Sequence, residues 1–352
     1  PVSYATSFAR DSGALYFRYR NLRWGERAIG VLAPQDLLLG APAWRIVGGL
    51  LRFHRQAVAA LRRGDLAGIG IGDYVAAEGY PADFVDGFLL PAISTVCTCS
   101  FSHARGFPAE VIVDYLARGV ARQSVHRALH GALDVQRRFL QGIPDLRCNA
   151  HLVAVRRQGD AVWVREASGA EQGFDHVVLA TQANQALALL GDGGQGGTAD
   201  ERAVLAGFTY APVEVVSHTD AALMPTRRVD WSPVNLWCSA AHDVAESTIW
   251  VNAVQPVLNG APDVFQTVHP LRTPRDGTVL GHAKFERPVV DAASQRALAG
   301  LARLLDEPGR RLWFCGSYAQ AGIPLLESAA RSAHEVARRL GAGLPGLDST
   351  TA

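Results

Sequence analysis

The residues best placed to do chemistry lie near the end of the chain, where small residues separate a short apolar run from a helical one. Leu312-Trp313-Phe314-Cys315 ends in Gly316-Ser317, and the loop that follows carries Gly322 ahead of Ile323 and Pro324. Glycines there let a ligand lie directly on backbone, and Pro324 stands near the first position of the helix that the pattern predicts over 324–340. The first N–H groups and the positive dipole end of such a helix face the loop and favour an anion such as pyrophosphate. An ordinary strand–turn–helix would carry the same Gly and Pro marks, so the pattern by itself leaves both readings open.

Other candidates are weaker. Gly191-Asp192-Gly193-Gly194-Gln195-Gly196 satisfies G-x-G-x-x-G literally, but it follows a helical run and lacks the strand–helix setting that lets backbone approach pyrophosphate. Gly193–Thr198 is therefore expected to be a flexible linker. Gly68-Ile69-Gly70-Ile71-Gly72 also lacks that setting and is read as a turn before a helix. His218 beside Asp220 suggests a hydrolytic pair, yet no G-x-S-x-G elbow is present to hold a nucleophile. His54, His126, His130 and His334 fall in predicted helices beside arginines and are assigned no catalytic role. Cys97-Thr98-Cys99 has no second Cys or His pair at metal-binding spacing and is read as two cysteines on one face of a buried element.

The elements that must position these residues change character along the chain. Residues 13–20 and 28–32 read as strands, and a basic amphipathic helix is predicted over 43–63. Further helices are predicted at 73–79, 81–91, 108–118 and 130–141, with Asp73 and Pro108 as start signals for two of them. From 146 the chain turns β-rich, with strands at 148–156, 161–166 and 174–180 and a helix over 184–190. Strands dominate at 208–219, 234–238, 247–255 and 278–286. A helix is expected over 291–305 and a short strand over 311–315.

With 352 residues, 48% of them hydrophobic, the chain can bury two lobes. Its 34 basic and 33 acidic side chains leave no electrostatic footprint for nucleic acid. The five cysteines are irregularly spaced, which argues against a disulfide framework and suits a reducing cytoplasm. No apolar run reaches the roughly 20 residues of a bilayer span. The basic helix, carrying Trp44 and Phe53, allows peripheral membrane contact, although docking on the protein's own core is the preferred reading.

The closing segment resembles the C-terminal FAD motif of flavin-containing amine oxidases, phytoene-type desaturases and their bacterial relatives. Phe174–Thr181 with Ala183–Leu187 is similar to the mid-chain crossover of the same superfamily. His218–Pro225 and Lys284–Val289 resemble its bacterial branch of NAD/FAD-binding oxidoreductases. The resemblance implies an α/β fold of two α+β lobes, glutathione-reductase-like but missing the first βαβ and its dinucleotide loop. FAD would be held by a discontinuous domain, 146–192 and 308–342. A mixed helix/sheet substrate domain would comprise 1–145 and 199–307, with 343–352 as a tail. By the same resemblance Val153 meets the adenine side through backbone, and Ala180 and Thr181 line the pyrophosphate loop. Gly316, Ser317, Gly322, Ile323 and Pro324 run along the ribityl chain and isoalloxazine. Leu325 and Leu326 lie beneath the ring, and Glu327 opens the helix.

Departures from the pattern shape the expected activity. Ser317 stands where relatives carry an acid, and Leu325 stands where amine oxidases place a tyrosine of their aromatic sandwich. Glu214 occupies the strand in which a flavin-adjacent lysine has no equivalent. The expected function is hydride transfer between flavin N5 and a small apolar, unsaturated or lipid-like substrate. Flavin amine oxidation is the first alternative, and a non-catalytic subunit or scaffold the second. The dinucleotide loop is expected from residues before Pro1 or from a separate N-terminal chain.

Overall fold

The computed structural model describes residues 5–11, 13–24, 27–31, 40–118, 126–191 and 196–342. They form two compact units, one of residues 1–144 with 211–287 and the other of 145–210 with 288–352. The helices Ala199–Ala206 and Ala292–Leu305 cluster with the second unit, whereas the expected lobes placed 199–307 with the first.

The first unit is built on an eight-stranded mixed sheet. Its strands are β1 (Ala5–Ala9), β2 (Leu15–Trp24), β3 (Arg27–Val31), β8 (Tyr210–His218), β9 (Val234–Trp237), β10 (Glu246–Trp250), β11 (Phe265–Val268) and β12 (Val279–Pro288), in the order β12-β8-β11-β10-β9-β1-β2-β3. β1 runs parallel to β9 and antiparallel to β2. Directly opposed residues share a face, so the register sorts the sheet into two chemistries. One cross-strand row is Phe17, Phe8 and Leu236, which packs with Ala43 and Ile46 of the long helix Ala41–Arg63. That helix opens with Pro42 in its first turn. It closes at Gly64, whose left-handed backbone (φ 80°) returns its N–H to the carbonyls of Ala60 and Leu61.

The neighbouring row on the other face is polar and buried: Arg18, Ser7, Asn235, Thr248 and Thr267. Buried polar groups need partners, and these have them. Ser7 Oγ lies 2.7 Å from Ser232 Oγ and donates to the Asp230 carbonyl. The Asn235 side chain bonds both Ser232 backbone groups and the Thr248 carbonyl. Thr248 Oγ1 lies 2.9 Å from Thr267 Oγ1, which is 2.8 Å from His218 Nε2.

The second unit holds an antiparallel sheet of β4 (Leu152–Gln158), β5 (Ala161–Glu166) and β6 (Glu171–Phe174), and a parallel pair, β7 (Val177–Leu179) with β13 (Leu312–Phe314). One apolar core joins β4, β5, β7 and β13 to the helices Ala183–Leu190, Ala199–Ala206, Ala292–Leu305 and Leu326–Arg339. Glu201 anchors it. Its buried carboxylate takes two bonds from Arg157, one from Arg310 and one from the Thr198 N–H, while Thr198 caps the helix in return.

Several sequence expectations change. Residues 193–195 of the expected linker lie outside the described residues, but Gly196 is packed. A Cβ there would stand 2.2 Å from the Leu190 carbonyl oxygen, and Arg157 bonds the Gly196 carbonyl. The predicted helix 81–91 divides into Ala82–Phe84, a π-helical turn Val85–Leu89 and Leu90–Cys97. The predicted strand 174–180 divides into β6 and β7, and 251–254 turns helical after β10. His126 and His130 precede the helix Gly131–Leu140 instead of lying within helices. Among the described residues, no helix is long and apolar enough to cross a membrane.

Candidate functional site

β7 and β13 run parallel, so their C-terminal ends emerge together, the position where open α/β sheets receive ligands. Ala180 and Thr181 follow β7, and Cys315, Gly316 and Ser317 follow β13. The two ends meet, because a Cβ on Gly316 would lie 3.2 Å from the Thr181 carbonyl oxygen. Gly322, Ile323 and Pro324 lead from there into the helix Leu326–Arg339. The closing motif and the crossover are thereby brought to one edge.

The details reassign roles within it. Gly316 adopts φ 150°, and its added Cβ would also meet the Tyr318 ring at 2.9 Å. Its N–H donates to Ser332 Oγ, which also lies 2.9 Å from the Gly316 carbonyl. Gly316 is thus required by internal packing, and its backbone is occupied within the protein. Gly322, at φ 106°, has open space where a side chain would be.

The helix begins at Leu326, not at Pro324. The Leu325 N–H closes a tight turn onto the Ile323 carbonyl, and Ser328 Oγ donates to the same oxygen, which holds Pro324 outside the helix. Among the described residues no side chain caps this helix, leaving its first N–H groups for whatever lies before them. Glu327 sits in the first turn and pairs with Arg331 at 2.8 Å. Leu325 is half-buried and Leu326 is 77% exposed. The helix after Thr181 differs. Gln182 and Gln185 close a capping box there, and the Ala183 N–H donates to the Tyr210 hydroxyl at 2.7 Å.

Val153 lies at a β-bulge. Register on β4 jumps from Leu152↔Glu166 to Ala154↔Arg165, leaving Val153 without an opposing residue. That frees backbone at the position expected to meet adenine. The sequence carried no signal for Tyr318, buried between the two glycines with its ring 4.9 Å from Phe208. Its hydroxyl is buried without a partner among the described residues, and burial pushes its pKa up, so it stays neutral. Removing an unpaired buried hydroxyl relieves a desolvation cost. Tyr318→Phe should therefore leave urea-unfolding stability unchanged or raised, and a loss above about 1 kcal/mol would mean that the hydroxyl has a partner.

The His218–Asp220 pair is structural. His218 is fully buried, its Nδ1 accepts from the Asp220 N–H at 3.2 Å, and the tautomer therefore donates from Nε2 to Thr267. Burial lowers its pKa, opposed by the charges of Asp220 and Glu246. Burial alone would raise the Asp220 carboxyl. The N–H groups of Ala222 and Arg275 and the Arg275 guanidinium outweigh that and hold it at about 2. A carboxyl with a depressed folded pKa stabilises above its unfolded value and loses that contribution as pH falls through the folded one. Asp220→Asn should accordingly flatten the acid limb of the stability curve between about pH 4 and pH 2, read by urea melts across pH. Cys97 and Cys99 are buried free thiols, and no group of three metal-ligating side chains is present among the described residues.

No family model matches the chain, and no curated protein does. Solved structures do. A fatty acid isomerase from P. acnes that produces CLA superposes with a TM-score of 0.61 at 10% identity, covering 97% of this chain and 80% of that one. Putrescine oxidase bound to putrescine gives 0.60 at 12% identity, over 97% and 82% of the two chains. A provisionally assigned protoporphyrinogen oxidase from Exiguobacterium sp. gives 0.55 at 14%, over 97% and 81%. At these identities the likeness is one of fold.

Proposed function

We propose that this chain binds FAD at the edge formed by β7, β13 and the uncapped Leu326 helix, and that it is a flavin-dependent oxidoreductase. The observation that carries the reading is the convergence of Thr181 and Gly316 at the ends of two parallel strands. A fold shared with putrescine oxidase and a fatty acid isomerase supports it. The residues of this edge fit the parts of the group that would lie against them. The bulged Val153 offers backbone to adenine, and Ala180 and Thr181 border the pyrophosphate. The first-turn N–H groups of the Leu326 helix favour the electron-rich pyrimidine edge of the flavin. Gly322 leaves room along the ribityl chain beside Ser317, Ile323 and Pro324, with Leu325 and Leu326 presenting apolar surface to the ring.

FAD supplies hydride transfer at N5, and the protein supplies orientation and electrostatics. Leu325 and Leu326 suit an apolar, unsaturated or lipid-like substrate. The outward face of the long helix, with Trp44 at 54% and Leu51 at 67% exposure beside Arg45 and Arg55, suits collecting such a substrate at an anionic lipid surface. Purified protein should show flavin absorbance or gain it with added FAD. At a hundredfold excess over Kd, binding should stabilise the chain by about 2.7 kcal/mol. A colourless protein whose melting ignores saturating FAD would sink the proposal. The likeness to putrescine oxidase favours a second reading, amine oxidation. Peroxide released from a panel of amines, with no turnover of unsaturated lipids, would select it.

A further inference from the structure

Trp231, Trp250 and Asp263 form a box that the flavin reading does not use. The two indoles stand edge to face, with centroids 5.4 Å apart and planes at 83°. The fully buried Phe265 closes behind Trp231 at 5.5 Å and 81°. Each wall is pinned. Trp231 Nε1 donates to the Pro225 carbonyl at 2.8 Å, and Trp250 Nε1 donates to Asp263 Oδ1 at 2.9 Å. The Trp250 N–H is bonded to the Pro233 carbonyl at 3.0 Å.

One side chain of the protein fills the box. The Arg228 guanidinium carbon lies 4.5 Å from the Trp231 ring centre and 5.4 Å from that of Trp250. Its Nη1 and Nη2 reach the two oxygens of Asp263 at 2.6 and 3.3 Å. This is cation–π recognition joined to a forked carboxylate pair, the arrangement by which proteins bind organic cations. The walls are fixed but the plug is not. Arg228 stands on the single turn Arg228–Asp230, and its side chain is 62% exposed. An ion pair with so exposed a partner contributes little net free energy. With Arg228 swung out, a carboxylate already hydrogen-bonded to one indole would face two aromatic surfaces without a cation.

We propose that Trp231, Trp250 and Asp263 form a binding site for an organic cation, the guanidinium or primary ammonium group of a small molecule, and that Arg228 occupies it until such a ligand displaces it. The π faces select a cation over a neutral or anionic group, and Asp263 fixes its orientation. Occupancy by Arg228 weakens the apparent affinity in proportion to the fraction of time the box stands open.

The experiment uses the full chain with ¹⁵N-labelled indoles, the Trp231 and Trp250 resonances being assigned through Trp231→Phe and Trp250→Phe. Ethylguanidinium chloride and n-butylammonium chloride are titrated at constant ionic strength, with sodium chloride as control. Both indole resonances should move together and saturably with at least one organic cation. Arg228→Ala should tighten that response about tenfold or more, and Asp263→Asn on the same background should abolish it. Absence of a saturable shift in both wild type and Arg228→Ala overturns the proposal. So does an equal response to sodium, or one that survives Asp263→Asn. Should Arg228→Ala fail to fold, the wild-type titration decides alone. None of these readouts needs FAD, so failure here and failure of the flavin reading are separable.

Discussion

Replacing Glu201 with alanine should lower the folding stability of this chain by about 3–5 kcal/mol. The carboxylate is buried and binds two arginines, of which Arg310 is itself almost wholly buried, with 3% of its side chain exposed. Removing the acid leaves that guanidinium with Glu307 and the Leu304 carbonyl as its remaining acceptors. It also deletes the reciprocal cap at Thr198 that starts the helix Ala199–Ala206. Burial by itself would raise the Glu201 carboxyl. Bonds from Arg157 and the Thr198 N–H, with the charges of both arginines, prevail and hold it below the usual range. Its contribution is therefore complete above the unfolded carboxyl value and declines as pH falls through the lowered one. Urea denaturation of wild type and Glu201→Ala at neutral pH measures the loss. A difference under about 1 kcal/mol would show that the pair is not what joins that helix to β4.

Gly316→Val should be nearly as damaging and should abolish FAD binding as well. Left-handed or otherwise sparse backbone held by a branched residue costs about 1–3 kcal/mol. A side chain forced into filled space costs a similar amount again. Both apply here, since the new Cβ would press on the Tyr318 ring and the Thr181 carbonyl. Gly322→Ala separates the two contributions. Its backbone is also at positive φ but its surroundings are open, so only the strain of about 1–3 kcal/mol is expected. Equal losses at the two glycines in urea melts would contradict the packing role of Gly316, and undiminished FAD affinity in Gly316→Val would remove this edge from the binding site.

Much of the architecture could be read from local pattern. The helices Ala41–Arg63, Ala109–Arg118, Ala292–Leu305 and Leu326–Arg339 follow apolar periodicity within two residues of expectation at each end. The strand–Gly–Ser–loop–helix at 312–339 and the β7 crossover were also legible, because each is local and bounded by Gly or Pro. The helix Ala199–Ala206 was missed although Thr198 and Glu201 stand at capping-box spacing. The glycine run before it carries the competing mark of a linker. What sequence could not show depends on pairings between distant residues. Glu201 meets Arg310 across 109 positions. The Val153 bulge exists only in register with β5, and the Arg228 box needs Asp263 from 35 positions away. Tyr318 gave no sign of a buried, unpaired hydroxyl because the core that buries it is assembled from distant residues such as Phe208.

The buried polar row of the large sheet has a consequence for biosynthesis. Ser7 finds its hydroxyl partner in Ser232, 225 residues later, and β1 gains its parallel neighbour only when β9 has been made. At ribosomal rates of about 5–20 residues per second, β1 and β2 wait on the order of ten to fifty seconds after emerging. Through that interval β1 presents an unsatisfied edge, with Phe8 on one side and Ser7 on the other. A nascent chain stalled before residue 232 should therefore be a better chaperone client, and stickier, than one released after β11. The β9-facing edge of β1 is among the last in the large sheet to be locked.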